Sequence, residues 1–154
     1  GHDIECSWLL HEAARILNNE DLVHETGEVA VKMARAAEAG LDEDGGLHYE
    51  YFPEDMALDR EKHWWPQAEA MVGFFNAWQL SKNDEYLERA LGSWSYIQTK
   101  LIDRELGEWY WSIGSDGFPR KDKEKAGFWK CPYHNGRACM ELIRRINGII
   151  FSNT

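Results

Sequence analysis

Apolar residues recur along the chain at intervals of three and four, the spacing of an α-helix that buries one face. From Asp3 to about Leu17, the residues Ile4, Trp8, Leu9, Ala13, Ile16 and Leu17 form the first such stripe. Asn18-Asn19-Glu20 interrupts it, and Asp21 is suited to cap a second helix running to about Ala39, with Gly40 as its stop. A third helix begins near Trp65 with Pro66 in its first turn, and Met71, Phe74, Phe75 and Trp78 mark its buried face. After Ser81-Lys82-Asn83, Asp84 is suited to cap a fourth helix whose stripe is Leu87, Leu91, Trp94, Ile97 and Leu101. A fifth runs from about Asn135 to Ile146 and carries Arg144-Arg145 near its end, where cations suit the helix dipole.

Two long segments separate these helices. Residues 41–63 are punctuated by Gly45, Gly46 and Pro53, with a short strand predicted at Leu47–Phe52. Residues 103–133 contain Trp109-Tyr110-Trp111, whose flanking glycines predict a short β-hairpin. The order helix, turn, helix, long loop repeats with a period near 62 residues, from His2 to Trp64. Such αα-hairpins stack into a solenoid or close into a toroid, and their long loops gather at one end and build the site there. The expected fold is therefore all-α, a single domain over residues 1–154. Five helices make an arc and not a closed ring, so apolar helix faces should remain uncovered.

Composition narrows the function classes. With 27 acidic and 17 basic side chains the formal charge is -10, which argues against nucleic acid or an anionic membrane as partner. No apolar run approaches the ~20 residues of a membrane span. The three cysteines, Cys6, Cys131 and Cys139, are odd in number and lack C-x-x-C spacing, so neither a disulfide framework nor a zinc knuckle fits. A reducing, cytoplasmic setting suits them best. The chain opens Gly-His-Asp-Ile-Glu without an initiator Met, which predicts a segment of a longer or processed chain.

Three segments carry residues suited to chemistry. In His2-Asp3-Ile4-Glu5 an imidazole and a carboxylate stand at i and i+3, neighbours on one helix face, where the carboxylate can fix the imidazole's tautomer. The same residues also suit a plain acidic first turn. In Phe128-Trp129-Lys130-Cys131-Pro132-Tyr133-His134-Asn135-Gly136-Arg137 a histidine stands at a helix start, where imidazolium is disfavoured and a neutral base is favoured. A simple capping role for His134 fits as well. In Lys62-His63-Trp64-Trp65-Pro66-Gln67-Ala68-Glu69 two adjacent indoles stand at a helix mouth. One can pack in the core while the other offers its face to a pyranose ring, with Gln67 and Glu69 as hydrogen-bond partners for hydroxyls. Trp8, Trp78 and Trp94 read better as core. His11-Glu12 lacks the second histidine of H-E-x-x-H, His24 and His48 have no partner at ligand spacing, His63 reads as a loop histidine, and the run Arg120–Lys125 reads as a solvated loop.

Together these segments resemble the N-acylglucosamine 2-epimerase superfamily and, within it, the cellobiose 2-epimerases. The matching stretches are Gly1–Leu10, Lys62–Ala70 and Lys125–Ala138, in that order along nearly the whole chain. The resemblance implies an (α/α)6 barrel of which this chain is the C-terminal part. It implies an isomerase that inverts C2 of the reducing-end glucose of a disaccharide through a cis-enediolate, with no metal or redox cofactor. Residue by residue, it implies His2 and His134 as the acid/base pair and Glu5 as the carboxylate assisting His2. It implies Trp65 and Trp129 as walls of the sugar cleft, with Glu69 beside them. The expected partners are then a small sugar, the missing N-terminal half of the barrel, or a second copy of the chain, and the chain alone should be nearly inactive. The same residues leave open an N-acylglucosamine 2-epimerase, an aldose–ketose isomerase, or a carbohydrate-binding module without catalysis.

Overall fold

The structure, a computed structural model, describes residues 1–152. Five α-helices form its body: α1 (His2–Leu17), α2 (Glu20–Ala37), α3 (Trp64–Ser81), α4 (Asp84–Tyr96) and α5 (Tyr133–Ser152). α1 pairs with α2 and α3 with α4 as two αα-hairpins, and the helix starts at His2 and Trp64 bear out the expected repeat. α3 lies at the centre and packs on α1, α2, α4 and α5. Its residues from Pro66 to Ala77 are all buried, so this helix is covered on every side. One core cluster joins Trp8, Trp64, Met71, Tyr96, Ile97 and Leu101, and another joins Ile4, Leu47, Phe74, Phe75 and Tyr86.

Local chemistry explains most helix ends. The cap of α2 is Asn19, whose side chain accepts from the Leu22 amide at 3.1 Å, and not Asp21. The cap of α4 is Asn83, accepting from the Glu85 amide at 3.1 Å, and not Asp84. In both helices the aspartate sits in the first turn, where its charge suits the dipole. α1 and α3 end on Asn18 and Lys82 in the left-handed conformation, while α2 passes through a 3-10 turn, Glu38–Gly40, before stopping. α4 runs into a π-helical turn, Ile97–Leu101. α5 begins two residues before the expected Asn135 and continues past Ile146 through Gly148.

The long loops form two small antiparallel ribbons. β1 (Glu50–Phe52) pairs with β2 (Ala57–Asp59), and β3 (Lys62–His63) pairs with β4 (Ser112–Ile113). The hairpin expected around Trp109–Trp111 is therefore replaced by a long-range pairing. Ser112 and Ile113 meet β3, and Trp109 bridges back to Ile102. Two side chains weld these loops to the helices. Gln67 accepts from the Leu47 amide at 2.6 Å and donates to the Leu47 carbonyl at 2.7 Å. Lys62, buried beneath Tyr96, donates to Asp42 and Asp44 at 2.7 Å each. Arg120 and Lys125, expected in solvent, instead bind Glu61 and Asp103 respectively.

Uncovered apolar faces are present, as the arc geometry predicts. Leu91, expected inward, is 58% exposed, because the buried face of α4 is Tyr86, Ala90, Ser93 and Tyr96. Leu91, Trp94, Leu142, Ile143 and Ile146 instead line an apolar groove of about 290 Å³. At the end of α1, Ile16 and Leu17 are likewise exposed.

Candidate active site

The first turns of α3 and α5 and the start of α1 converge on one buried carboxylate. Glu69, on α3, is fully buried, and a buried carboxylate is stable only if its lone pairs are taken up. Here they are. Oε2 accepts from the Trp8 indole at 2.8 Å. Oε1 accepts from Arg137 at 2.6 Å and lies 2.7 Å from His134 Nδ1. A carboxylate between donors can only accept, so the proton of a neutral His134 sits on Nδ1 and the lone pair on Nε2. That arrangement suits an imidazole for taking a proton at Nε2.

Glu5, one turn into α1, belongs to the same cluster. Its Oε1 accepts from Arg137 at 2.9 Å and lies 3.8 Å from His134 Nδ1. The contacts of Glu5 are with Arg137, through a hydrogen bond, and with the imidazole of His134, whereas the resemblance implies that it assists His2. The reason is directional. The i, i+3 spacing puts His2 and Glu5 on adjacent positions, but Glu5 points inward toward α5 while His2 stays exposed at the helix tip.

His2 meets the site through Trp65. The imidazole of His2 lies 4.8 Å from the Trp65 ring, centroid to centroid, and that of His134 lies 5.5 Å from it. Both histidines, far apart in sequence, therefore contact one indole, and their separation cannot exceed the sum of those distances. Trp65 is half-buried, whereas Trp64 is buried against Trp111, so the two adjacent indoles divide between cleft and core. Tyr49 stands edge-on to Trp65 and stacks on His63. Trp129 is 75% exposed, and its ring contact is with Phe128.

Several partners were not singled out by sequence reasoning. Trp8 is both core and ligand of Glu69, and Arg137 bridges the two carboxylates. A signal for both exists, since Glu5 and Trp8, and His134 and Arg137, each stand at i, i+3 on one helix face. Arg137 also lies over the Trp8 and Tyr133 rings, at 5.0 and 4.3 Å. Burial opposes its charge, but the hydrogen bonds to Glu69 and Glu5 outweigh this and raise its pKa. In the loop before α5, Lys130 is buried and its pKa is lowered by that burial, with Glu108 opposing. Glu108 accepts from Lys130 and from Asn135, and so ties the loop before α5 to the residue following His134.

Glu5, Glu69 and His134 offer three ligand atoms within 4.8 Å of one another, close enough to hold a cation. Arg137 already supplies positive charge to both carboxylates, so a metal ion there would have to displace it.

Comparison with known proteins places this arrangement in a family. The model of the N-acylglucosamine 2-epimerase (GlcNAc 2-epimerase) family matches residues 1–138. A cellobiose 2-epimerase of Bacteroides fragilis is 48% identical over 143 residues, covering 93% of this chain and 36% of that protein. The crystal structure of a sugar epimerase from a ruminal bacterium superposes with a TM-score of 0.88 at 42% identity, covering 94% of this chain and 37% of the other. A D-mannose isomerase structure superposes at 0.78 with 25% identity, covering 94% and 36%. The chain thus spans little more than a third of the length of these relatives, and its two hairpins and fifth helix are part of an (α/α)6 barrel. With its three motif segments inside the matched region, the chain belongs to the N-acylglucosamine 2-epimerase family.

Proposed function

We propose that this chain is part of a sugar 2-epimerase that inverts C2 of the reducing-end glucose of a disaccharide such as cellobiose. The observation that carries this reading is the contact of two imidazoles with one indole, His2 and His134 both lying against Trp65. C2 of a ring-opened aldose is acidified only by the neighbouring C1 carbonyl. One base removes its proton to give a cis-enediolate, and a second group returns a proton to the opposite face. Two imidazoles suit this exchange because each can take or give a proton near neutrality. His134, its Nδ1 proton held by Glu69, works through Nε2, and His2 works the other face. Trp65 lies flat against the sugar between them.

The likeness to a cellobiose 2-epimerase supports a disaccharide substrate. The likeness to a D-mannose isomerase supports a second reading, in which the enediolate is reprotonated at C1 and yields a ketose. Both share the first step. The test is to incubate the full-length protein with cellobiose in D2O and follow the products by NMR. Epimerisation gives 4-O-β-glucosyl-mannose with deuterium at C2, and isomerisation gives the corresponding fructose unit. Cellobiose recovered unchanged, with no deuterium at C2 and neither epimer nor ketose formed, would sink both.

A further inference from the structure

Two adjacent residues at the start of α5 are each held by a carboxylate from a different part of the chain. His134 Nδ1 lies 2.7 Å from Glu69 on α3, and the Asn135 side-chain amide donates to Glu108 Oε1 at 2.8 Å. Successive helical residues point about 100° apart around the axis. A tether on one of them leaves the first turn of α5 free to pivot about that contact. Tethers on both neighbours fix its rotation and its height together. Asn135 is buried, and its side-chain oxygen accepts from the Gly136 amide at 3.0 Å, so both ends of its amide are engaged.

The conformation of Glu108 is built for this contact. Gly107 and Glu108 both take left-handed backbone, with φ 76° and 62°. Glycine adopts that conformation freely, whereas glutamate is strained there, and such strain concentrates where function needs it. Glu108 Oε1 also accepts from Lys130 at 3.0 Å. Lys130 is only 1% exposed, its ammonium donates as well to the Lys125 carbonyl at 3.0 Å, and it lies 5.4 Å from the Trp64 ring centroid. Its own carbonyl accepts from the Gly127 amide at 2.8 Å. The segment 125–130 is thus closed on Lys130 at both ends, and one oxygen of Glu108 joins it to α5.

We propose that Glu108 is a positioning residue for His134: its hydrogen bond to Asn135, braced by Lys130, sets the rotation of α5 that holds the imidazole against Trp65. The catalytic meaning of this strut rests on the epimerase reading above, but the placement of the imidazole does not. What the strut requires is the acceptor oxygen that Asn135 and Lys130 share. Glutamine keeps such an oxygen and alanine removes it.

The test reads the imidazole and the reaction separately, in the full-length protein. With 13C-labelled histidine, the His134 ring signals are assigned by a His134→Gln control and recorded at one fixed pH. That ring lies 5.5 Å from the Trp65 ring and 6.4 Å from that of Trp64, so its signals carry the indole ring currents. Glu108→Ala is expected to move them, and Glu108→Gln to leave them in place. With cellobiose, well below the melting temperature of each variant, Glu108→Ala is expected to lower kcat by about 10–100-fold with a smaller change in KM, as a displacement of about 1 Å does. Glu108→Gln is expected to stay within about threefold of the unaltered protein. Unmoved His134 signals in folded Glu108→Ala, or equal losses of kcat in the alanine and glutamine variants, would overturn the proposal. Should Glu108→Ala not fold, Asn135→Ala leaves the Lys130–Glu108 pair in place and is expected to move the His134 signals in the same way. Unmoved signals there would overturn it as well. A full-length protein whose His134 signals respond as expected, yet which exchanges no C2 hydrogen, would refute the epimerase reading and leave the strut standing.

Discussion

Replacing Glu69 with glutamine strikes the centre of the cluster, and the cost follows from its hydrogen bonds. Three donors converge on this side chain: Trp8 Nε1 on Oε2, and Arg137 and His134 on Oε1. A glutamine of the same shape must place its NH2 where one oxygen stood. Turned toward α5 it faces two donors; turned toward Trp8 it faces one, so the second orientation is the cheaper. Even there, one buried donor pair is left in conflict, at about 1–3 kcal/mol, and Arg137 loses one of its two charged acceptors. Removing one partner of a buried ion pair costs about 3–5 kcal/mol, which sets the expected total. With a urea slope of about 2 kcal/mol/M, the midpoint should fall by about 1.5–2.5 M. Urea unfolding followed by tryptophan fluorescence, with circular dichroism alongside, measures it. Trp8→Phe removes the conflicting indole N–H, so Glu69→Gln should cost about 1–3 kcal/mol less in that background. A midpoint shift below about 0.5 M, or strict additivity with Trp8→Phe, would refute the claim that Glu69 is held by these three donors. In the full-length protein the same substitution should lower kcat by about 10²–10⁴-fold, the usual weight of general acid–base catalysis.

Other consequences can be checked separately. Lys62→Met removes the cation from Asp42 and Asp44, which stay 42% and 44% exposed and can be solvated, so it should destabilise by about 1–3 kcal/mol in thermal unfolding. His11 is buried against Asn76, and burial chiefly lowers its pKa, with Arg15 and Arg145 adding to the effect. Its unfolded form therefore binds a proton before its folded form does, so its contribution favours folding above about pH 6.5 and is lost as pH falls toward its folded value. His11→Gln should flatten that part of the stability–pH curve, and an unchanged slope would exclude His11 as its source. Gly45 has φ 85, and a Cβ there would stand 2.6 Å from the Gly92 carbonyl oxygen, so Gly45→Ala should lower stability by about 2 kcal/mol or more. Trp129→Ala should leave the melting temperature of this chain nearly unchanged, within about 0.5 kcal/mol, because the side chain is 75% exposed. In the full-length protein, a raised KM with stability intact would support Trp129 as a sugar contact.

Much of the architecture was legible because helical hairpins write themselves locally. The stripe Met71, Phe74, Phe75 and Trp78 marked α3, and the His2-to-Trp64 interval gave the repeat. Where one face carried more apolar residues than a neighbour could cover, the reading slipped. Leu91 lies on a continuous stripe, yet Tyr86, Ala90 and Ser93 are the residues that α4 buries. Caps were displaced by one or two positions because asparagine and aspartate compete for the same role, and Asn19 and Asn83 came first. The hairpin around Trp109 failed for a different reason. Its strand partner is β3, fifty residues upstream, and no local pattern announces such a pairing.

For the site, spacing left each of the three segments a plain structural use beside a chemical one, and it was the resemblance of all three in order that named the residues. Spacing along a single helix also limited which side chains share a face. It could not say which partner each one meets across helices. Glu5 turns to Arg137 and not to His2, Trp8 serves a carboxylate on α3, and Trp65 receives an imidazole from each of two segments. Those choices depend on how α1 and α5 cross α3, and that crossing is settled by side chains packing together from distant parts of the chain. A linear order of residues carries the period of each helix. The angle at which helices meet, and hence which buried charge finds which proton, exists only once they have packed.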